Sequence, residues 1–363
     1  MHSISRRAFL ALAGLSALPT NSANADDELF VGARINSGRF EVAVVNASGR
    51  DRLILPVNIR KHSFAIDAGS RTAVAFARSP GRHAVLFGVD GGREPVAITA
   101  KPGRHFFGHG AFTRDGRLLI ASENDYEAGI GVAGIYSIDN GIERIGEIST
   151  GGVGPHELVL LPDGRTVCVA NGGILTHPDY RRVKLNLDTM KPSLAYFDVA
   201  NGELIERVEL APELHRLSIR HLAVDRNGSV WFGCQWEGDA LDRPPLVGRH
   251  VRGKVPELFA GPPETLRSLK NYVGSVAVDA SGEIVATSSP HGGLVAFWDA
   301  ASGRHLGDRK IADGCGIAPL GSGRIMATSG RGAVADLTPQ SAAVLVEPDQ
   351  AAPAWDNHLR RVA

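Results

Sequence analysis

The chain has 363 residues, with 39 Lys and Arg against 39 Asp and Glu, and 43% of its residues are hydrophobic. This balanced charge argues against a protein that grips nucleic acid or anionic lipid electrostatically, so we expect no nucleic-acid partner. The length is sufficient for a large hydrophobic core, and an odd set of three cysteines cannot form a disulfide framework.

Residues 1–25 have the features of an export signal. Arg6 and Arg7 precede an apolar run at residues 8–19, and a small-residue cleavage site follows at residues 23–25. The paired arginines favour the twin-arginine pathway, although an ordinary Sec signal can also contain two arginines. We therefore predict that residues 26–363 form one domain that works in the periplasm. The apolar run is too short for a transmembrane helix, and no other segment is long and apolar enough.

A repeated pattern divides the rest of the chain. Each repeat starts at one equivalent position and continues with an apolar strand, an Asp/Gly turn, a second strand, a polar loop and a third strand. Four short strands every 40 to 50 residues or so are typical of a β-propeller blade. The starts follow one another at intervals of roughly 40 to 65 residues, at His62, His109, His156, His221, Ser275, Cys315 and His358.

Seven starts predict an all-β fold, a seven-bladed β-propeller. The last repeat ends after its inner strand at Leu359–Val362, so we expect its other strands to come from Glu28–Val57. Joining the two chain ends in one blade closes the ring and removes an open sheet edge. The longest interval contains an insertion from Gly172 to Ser193. Such loops are often functional, although this one can equally be a surface decoration.

The repeat places six candidate metal ligands at equivalent positions around one mouth of the central channel. They are His62, His109, His156, His221, His358 and Cys315. Imidazole and thiolate groups suit Fe, Cu or Zn, so this face is a candidate site for a transition metal. Loops between the second and third strands reach the same face and add polar candidates: Glu123, Asp125, Asn171, His177, Asp179, Gln235, Glu237, His291 and Arg331.

A histidine at a repeated position has a second interpretation. In WD40 propellers, a Gly-His imidazole bonds a turn aspartate of its own blade, and Gly108-His109 with Trp298-Asp299 resembles that arrangement. Spacing does not separate the two roles, because both require the same positions. Motifs of nucleophile elbows, phosphate loops and HExxH zinc sites are absent, and no catalytic residue is predicted.

Seven segments, spread over nearly the whole of residues 26–363, resemble one bacterial family: Arg104–Phe112, Glu123–Tyr126, Gly154–Leu158, Asn171–Asp179, Leu185–Asp198, Leu217–Val224 and Trp355–Leu359. This family comprises twin-arginine-exported WD40/YVTN-like β-propellers of unknown function, often found beside imelysin-type periplasmic iron-uptake proteins. The resemblance implies a role in iron handling with imelysin-like partners, and it supplies no catalytic residues. The resembling segments cluster on the predicted channel face, where they add His105 to the candidates.

Different classes of function remain open. A periplasmic binding or accessory propeller would bind a metal, a metal complex or a partner protein on the histidine-rich face. A metal-dependent enzyme would use the same face, either as a lactonase-type hydrolase with Glu123, Asp125 and Asn171 around a divalent ion or as a Cu or Fe redox protein. A scaffold would satisfy each histidine within its own blade.

Overall fold

A computed structural model describes residues 28–139, 142–180, 183–349 and 351–362. The predicted signal segment 1–25 lies outside these residues. Within them, the strands form seven four-stranded antiparallel sheets, which confirms the predicted all-β, seven-bladed propeller. No helix in the described part of the chain has both the length and the apolar character needed to cross a bilayer.

Each blade takes four consecutive strands, except the one that joins the chain ends. In chain order the strands are β1 (Leu29–Asn36), β2 (Arg39–Asn46), β3 (Asp51–Val57), β4 (Lys61–Asp67), β5 (Thr72–Ala77), β6 (His83–Gly88), β7 (Val96–Thr99), β8 (Arg104–Phe112), β9 (Leu118–Asp125), β10 (Ile130–Ser137), β11 (Glu143–Ser149), β12 (Pro155–Leu160), β13 (Thr166–Asn171), β14 (Ser193–Asp198), β15 (Leu204–Glu209), β16 (Leu217–Val224), β17 (Val230–Trp236), β18 (Val247–His250), β19 (Glu257–Phe259), β20 (Ser275–Val278), β21 (Ile284–Ser289), β22 (Leu294–Asp299), β23 (His305–Lys310), β24 (Gly314–Gly321), β25 (Arg324–Ser329), β26 (Val334–Leu337), β27 (Ala342–Val346) and β28 (Ala354–Val362).

The closing blade has the order β28-β1-β2-β3, as predicted from the two chain ends. Its inner strand begins at Ala354, earlier than the predicted Leu359, because the buried Trp355 pairs with Arg34 and continues the ladder. Closure leaves every blade with two neighbours. The inner strands β4, β8, β12, β16, β20, β24 and β28 contact one another in a closed circle around the axis.

Apolar clusters fill the spaces between adjacent blades. Phe76 on β5 and Phe106 on β8, for example, are fully buried against each other with ring centroids 5.5 Å apart. Each square ångström of apolar surface that such packing removes from water contributes about 25 cal/mol. Because every described cluster draws on neighbouring blades, the ring stabilises the arrangement of strands around the channel.

Helices in the described residues are short. One α-helix, α1 (Pro263–Ser268), precedes β20, and 3₁₀ turns occur at Pro178–Tyr180, Leu187–Thr189 and Pro212–Leu214. The first two of these turns belong to the insertion between β13 and β14, which therefore has local structure of its own.

Candidate metal centre

Five of the six predicted channel residues meet on the axis of the propeller. Their imidazole rings form one cluster, with ring centroids 4.6 to 6.0 Å apart between contacting pairs. Four of the side chains belong to residues that are at most 5% exposed, and the fifth is partly exposed at the channel mouth. The five residues are His62, His109, His156, His221 and His358.

Two groups of three histidines have the spacing of potential metal ligands. His62, His109 and His156 form one group, and His109, His221 and His358 form the other, each with its ligand nitrogens within 4.8 Å of one another. His109 belongs to both groups. Zinc binds imidazole nitrogen at about 2.0–2.1 Å. The three rings of one group would therefore move closer together to hold one ion.

β-Bulges turn these side chains toward the axis. The pairing of the inner strand with its neighbour shifts register between Lys61 and Phe64, Phe106 and Gly110, Pro155 and Glu157, and Ile219 and His221. Each shift contains or adjoins one of the clustered histidines. A bulge bends its strand and redirects side chains, which explains how adjacent residues of one strand can both approach the axis.

Two buried carboxylates contact Nδ1 atoms of the clustered histidine rings. His221 Nδ1 lies 3.2 Å from Glu157 Oε2, and His109 Nδ1 lies 3.7 Å from Glu157 Oε1. His62 Nδ1 lies 3.4 Å from Asp356 Oδ1. Arginines balance both carboxylates, since Glu157 is paired with Arg360, and Asp356 is paired with Arg60 at 2.5 Å and Arg78 at 3.2 Å.

The carboxylates define which ring nitrogen is free. An ionised carboxylate only accepts hydrogen bonds, so Nδ1 of His221 and His62 carries the proton and Nε2 keeps its lone pair. This carboxylate–histidine arrangement orients ligating imidazoles in metal sites. Burial also lowers the pKa of His109 to about 3 and the pKa of His62 and His221 below the usual value. The rings are therefore neutral, which is the metal-binding form.

Several ring nitrogens have no hydrogen-bond partner among the described residues. They are both nitrogens of His109, Nδ1 of His156 and Nε2 of His358. Buried polar groups are normally satisfied by protein, water or an ion. The partners of His62 and His221 come from other blades, which differs from the within-blade bond of the WD40 interpretation. The chemistry of this donor set fits a transition metal.

A cavity of about 260 Å³ opens from this cluster to the surface. His62, His156 and His221 are among its lining residues, whereas His109 and His358 are not. The predicted candidates His177, Gln235 and Glu237 also line it. A ligand entering the cavity would therefore reach three of the five clustered rings.

The insertion between β13 and β14 forms part of the cavity wall. Ile174, Thr176, His177 and Lys184 contribute its lining. Lys184 forms an ion pair with Glu237, which lies after β17 in the next blade. The insertion therefore lines the cavity and contacts the next blade through this ion pair.

Two of the three predicted oxygen ligands, Glu123 and Asp125, already have their oxygens engaged elsewhere. Glu123 accepts hydrogen bonds from the Tyr136 hydroxyl at 2.5 Å and Arg144 at 3.0 Å. Asp125 pairs with Arg104 at 2.6 Å, and Asn171 donates to the backbone oxygen of Thr150 and the Ser193 hydroxyl. The contacts of Glu123 and Asp125 hold strands of their own blade together, whereas Oδ1 of Asn171 has no hydrogen-bond partner among the described residues.

Four further predicted residues are not among the residues that line the cavity. His105 is buried, with Nδ1 3.0 Å from the Phe106 backbone oxygen and Nε2 3.1 Å from Asn124 Nδ2. Asp179 is exposed on the 3₁₀ turn next to His177. The exposed His291 packs on Tyr272, and Arg331 is exposed after β25.

Comparison with known families identifies the chain. The model of a family described as "Protein of unknown function (DUF1513)" matches residues 55–362. The chain belongs to the DUF1513 family. No curated protein matches it in sequence.

Solved structures show that the DUF1513 chain shares its fold with diverse propellers. It is similar to hydrazine synthase of Kuenenia stuttgartiensis, with 12% identity, a TM-score of 0.63, and coverage of 87% of this chain and 91% of the other. It is also similar to the periplasmic gluconolactonase PpgL of Pseudomonas aeruginosa, with 14% identity, a TM-score of 0.60, and coverage of 93% and 99%. At such identities the likeness shows the fold alone.

In this DUF1513 propeller, Cys315 occupies the sixth predicted channel position and lies outside the two histidine groups. Its Sγ faces backbone oxygens of Thr328 at 3.5 Å and Trp355 at 3.6 Å. Burial raises the pKa of the thiol to about 12, so the neutral thiol predominates at ordinary pH. The thiolate, which binds metals, is disfavoured here.

Sequence reasoning missed the charged residues that support the cluster. Glu157 follows His156 directly, and Asp356 stands two residues before His358. Their closeness in sequence to the predicted histidines is the feature that points to them. Arg220 precedes His221 in the same way and lines the cavity.

Proposed function

We propose that this propeller binds a transition metal ion, Fe, Cu or Zn, on its axis as a binding or accessory protein in metal handling. The observation that carries the proposal is the convergence of two histidine groups on His109 in a buried channel. Neutral imidazole is the preferred nitrogen ligand of these metals. The buried carboxylates Glu157 and Asp356 supply the second layer of contacts that orients such ligands.

Metal analysis by mass spectrometry tests this proposal. Protein purified without chelators, or loaded with Fe, Cu or Zn and then dialysed, should contain close to one metal per chain. His109→Gln should reduce the bound metal about tenfold or more, because it removes the ligand common to both groups. A metal-free wild type that binds none of the three ions would overturn the proposal.

A matched control separates ligation from folding. His250 is also a buried histidine, but it lies on β18, between the Tyr196 hydroxyl at 2.6 Å and the Lys254 backbone oxygen at 2.9 Å. His250→Gln should keep the metal content of the wild type. Equal loss of metal in both variants would show that the effect comes from instability.

We also propose that the chain reaches the periplasm through the twin-arginine pathway and acts there beside imelysin-like iron-uptake proteins. The sequence of residues 1–25 and the resemblance described above support this proposal. Replacement of Arg6 and Arg7 by Lys should retain the protein in the cytoplasm, as measured by cell fractionation. Periplasmic delivery of that variant would contradict twin-arginine export.

The same metal could serve an enzyme, and PpgL is named as a gluconolactonase. The observation against a lactonase of the predicted type is that Glu123 and Asp125 are each paired with an arginine, Glu123 with Arg144 and Asp125 with Arg104. We therefore expect stoichiometric metal binding without lactone hydrolysis, checked by assaying the metal-loaded protein with gluconolactone.

A further inference from the structure

The cavity at the histidine cluster is lined by more cationic than anionic side chains. Arg78, Arg220 and Lys184 line it, and Glu237 is the carboxylate among its lining residues. Arg78 is paired with Asp356 at 3.2 Å, and Lys184 is paired with Glu237. These pairings leave one guanidinium without a dedicated partner.

That guanidinium belongs to Arg220. Its side chain is 17% exposed and makes no hydrogen bond with any described residue, and its Nε is buried without a partner. The nearest carboxylate oxygen, Oε1 of Glu237, lies 3.8 Å away, and Lys184 already neutralises that carboxylate. A guanidinium removed from water without hydrogen bonds is costly, so the site favours a ligand that accepts them.

The charge of the guanidinium and the volume of the cavity indicate which class of ligand the cavity binds. A planar guanidinium binds carboxylate and phosphate groups through paired hydrogen bonds. The cavity volume of about 260 Å³ lies at the small end of ligand pockets, which start near ~300 Å³. The cavity therefore suits a small anion, which can range in size from a few atoms to a short polycarboxylate.

We propose that the cavity at the channel mouth binds a small oxyanion, a carboxylate or a phosphate, anchored by Arg220. Because His62, His156 and His221 line the same cavity, an anion held there would lie beside rings that would hold the metal. The contact between the anion and a metal rests on the proposed metal binding. The anion site itself rests on Arg220 and holds for the metal-free protein.

Calorimetric titration of metal-free protein tests the anion site. Citrate and inorganic phosphate are titrated separately into chelator-treated protein, and at least one should bind saturably at a single site. Tighter binding of citrate would assign the site to polycarboxylates, and tighter binding of phosphate would assign it to phosphate-bearing ligands. Arg220→Gln should weaken binding about tenfold or more, the effect expected for a lost charge-assisted contact.

Two further variants keep the test decisive. Arg226 lies beyond the other end of β16 and forms an exposed ion pair with Glu283, so Arg226→Gln should leave anion affinity unchanged. Glu237→Gln removes the carboxylate that competes for Arg220 and Lys184, and it should strengthen anion binding about threefold or more. This second variant gives a gain of affinity that misfolding does not mimic.

The outcomes separate the two proposals. Absence of saturable binding up to about 10 mM, or unchanged affinity in Arg220→Gln, overturns the anion site whatever the metal content. Anion binding by a protein that binds no metal overturns the metal proposal and leaves the anion site standing. If both hold, citrate should increase the affinity for the metal in the wild type and should not do so in Arg220→Gln.

Discussion

His221 donates a hydrogen bond from Nδ1 to Oε2 of Glu157 at 3.2 Å, across the boundary between two blades. The same carboxylate approaches His109 and is paired with Arg360. Although burial opposes its ionisation, the positive charge of Arg360 and the neighbouring rings of His109 and His221 hold the pKa of Glu157 well below its usual range. Glu157 therefore connects the histidine cluster to the packing between blades.

Glu157→Gln should impair both stability and metal binding. Removal of its charge leaves Arg360 without its buried counter-ion, which typically costs about 3–5 kcal/mol, and metal affinity should fall about 10- to 100-fold with the loss of ring orientation. Urea unfolding and competition with a chelator measure the two effects. Glu283→Gln, at an exposed ion pair, should change neither, and equal metal affinity in Glu157→Gln would contradict the orienting role.

Gly108→Ala should disturb the cluster through His62. Gly108 has a φ of +99°, and a Cβ there would lie 2.7 Å from Cδ2 of the His62 ring. Gly103 has a φ of +78° with no atom within 4 Å of the equivalent Cβ, so Gly103→Ala isolates the backbone strain of about 1 kcal/mol.

The two glycine variants should therefore differ in both unfolding free energy and metal content. Gly108→Ala should lose about 1–3 kcal/mol more than Gly103→Ala, because the ring must move or the bulge must open. Its metal content should also fall, whereas that of Gly103→Ala should match the wild type. Equal unfolding curves for the two variants would show that His62 is free to move.

The sequence was sufficient to predict the blades, the closure and the five histidines of the cluster. This succeeded because every blade repeats the same alternation of short apolar strands and turns, and because the ring places equivalent positions around one axis. The bulges that redirect the histidines leave no mark in that alternation. The partners Glu157 and Asp356 were missed because they bind rings that lie 64 and 294 residues away along the chain.

Cys315 should resist thiol reagents while the protein is folded. Its side chain is buried, and burial raises the pKa of the thiol to about 12, so little thiolate is present at neutral pH. Burial also raises the pKa of Cys168 and Cys234. Titration with a chromogenic disulfide at pH 7 should detect thiols only after addition of denaturant. Rapid labelling of Cys315 in the folded state would show that it opens toward the channel.

Lys61 should make stability depend on pH above neutrality. The residue is 3% exposed and has no ion pair or hydrogen bond from its side chain among the described residues, and burial lowers its pKa to about 8. In the unfolded chain its pKa is near 10.5. Below pH 8 the folded protein must hold a buried ammonium, whereas above pH 10.5 both states are neutral at this residue.

Lys61→Met should therefore stabilise the protein at pH 7, and the gain should shrink as the pH rises from 8 toward 10.5. One pKa unit corresponds to about 1.4 kcal/mol, so the full gain is about 3 kcal/mol. The exposed Lys101 provides the control, since Lys101→Met should show no such dependence. Urea unfolding of the three proteins between pH 7 and 10.5 measures the difference, and a constant or rising gain for Lys61→Met would contradict a buried, unpaired ammonium.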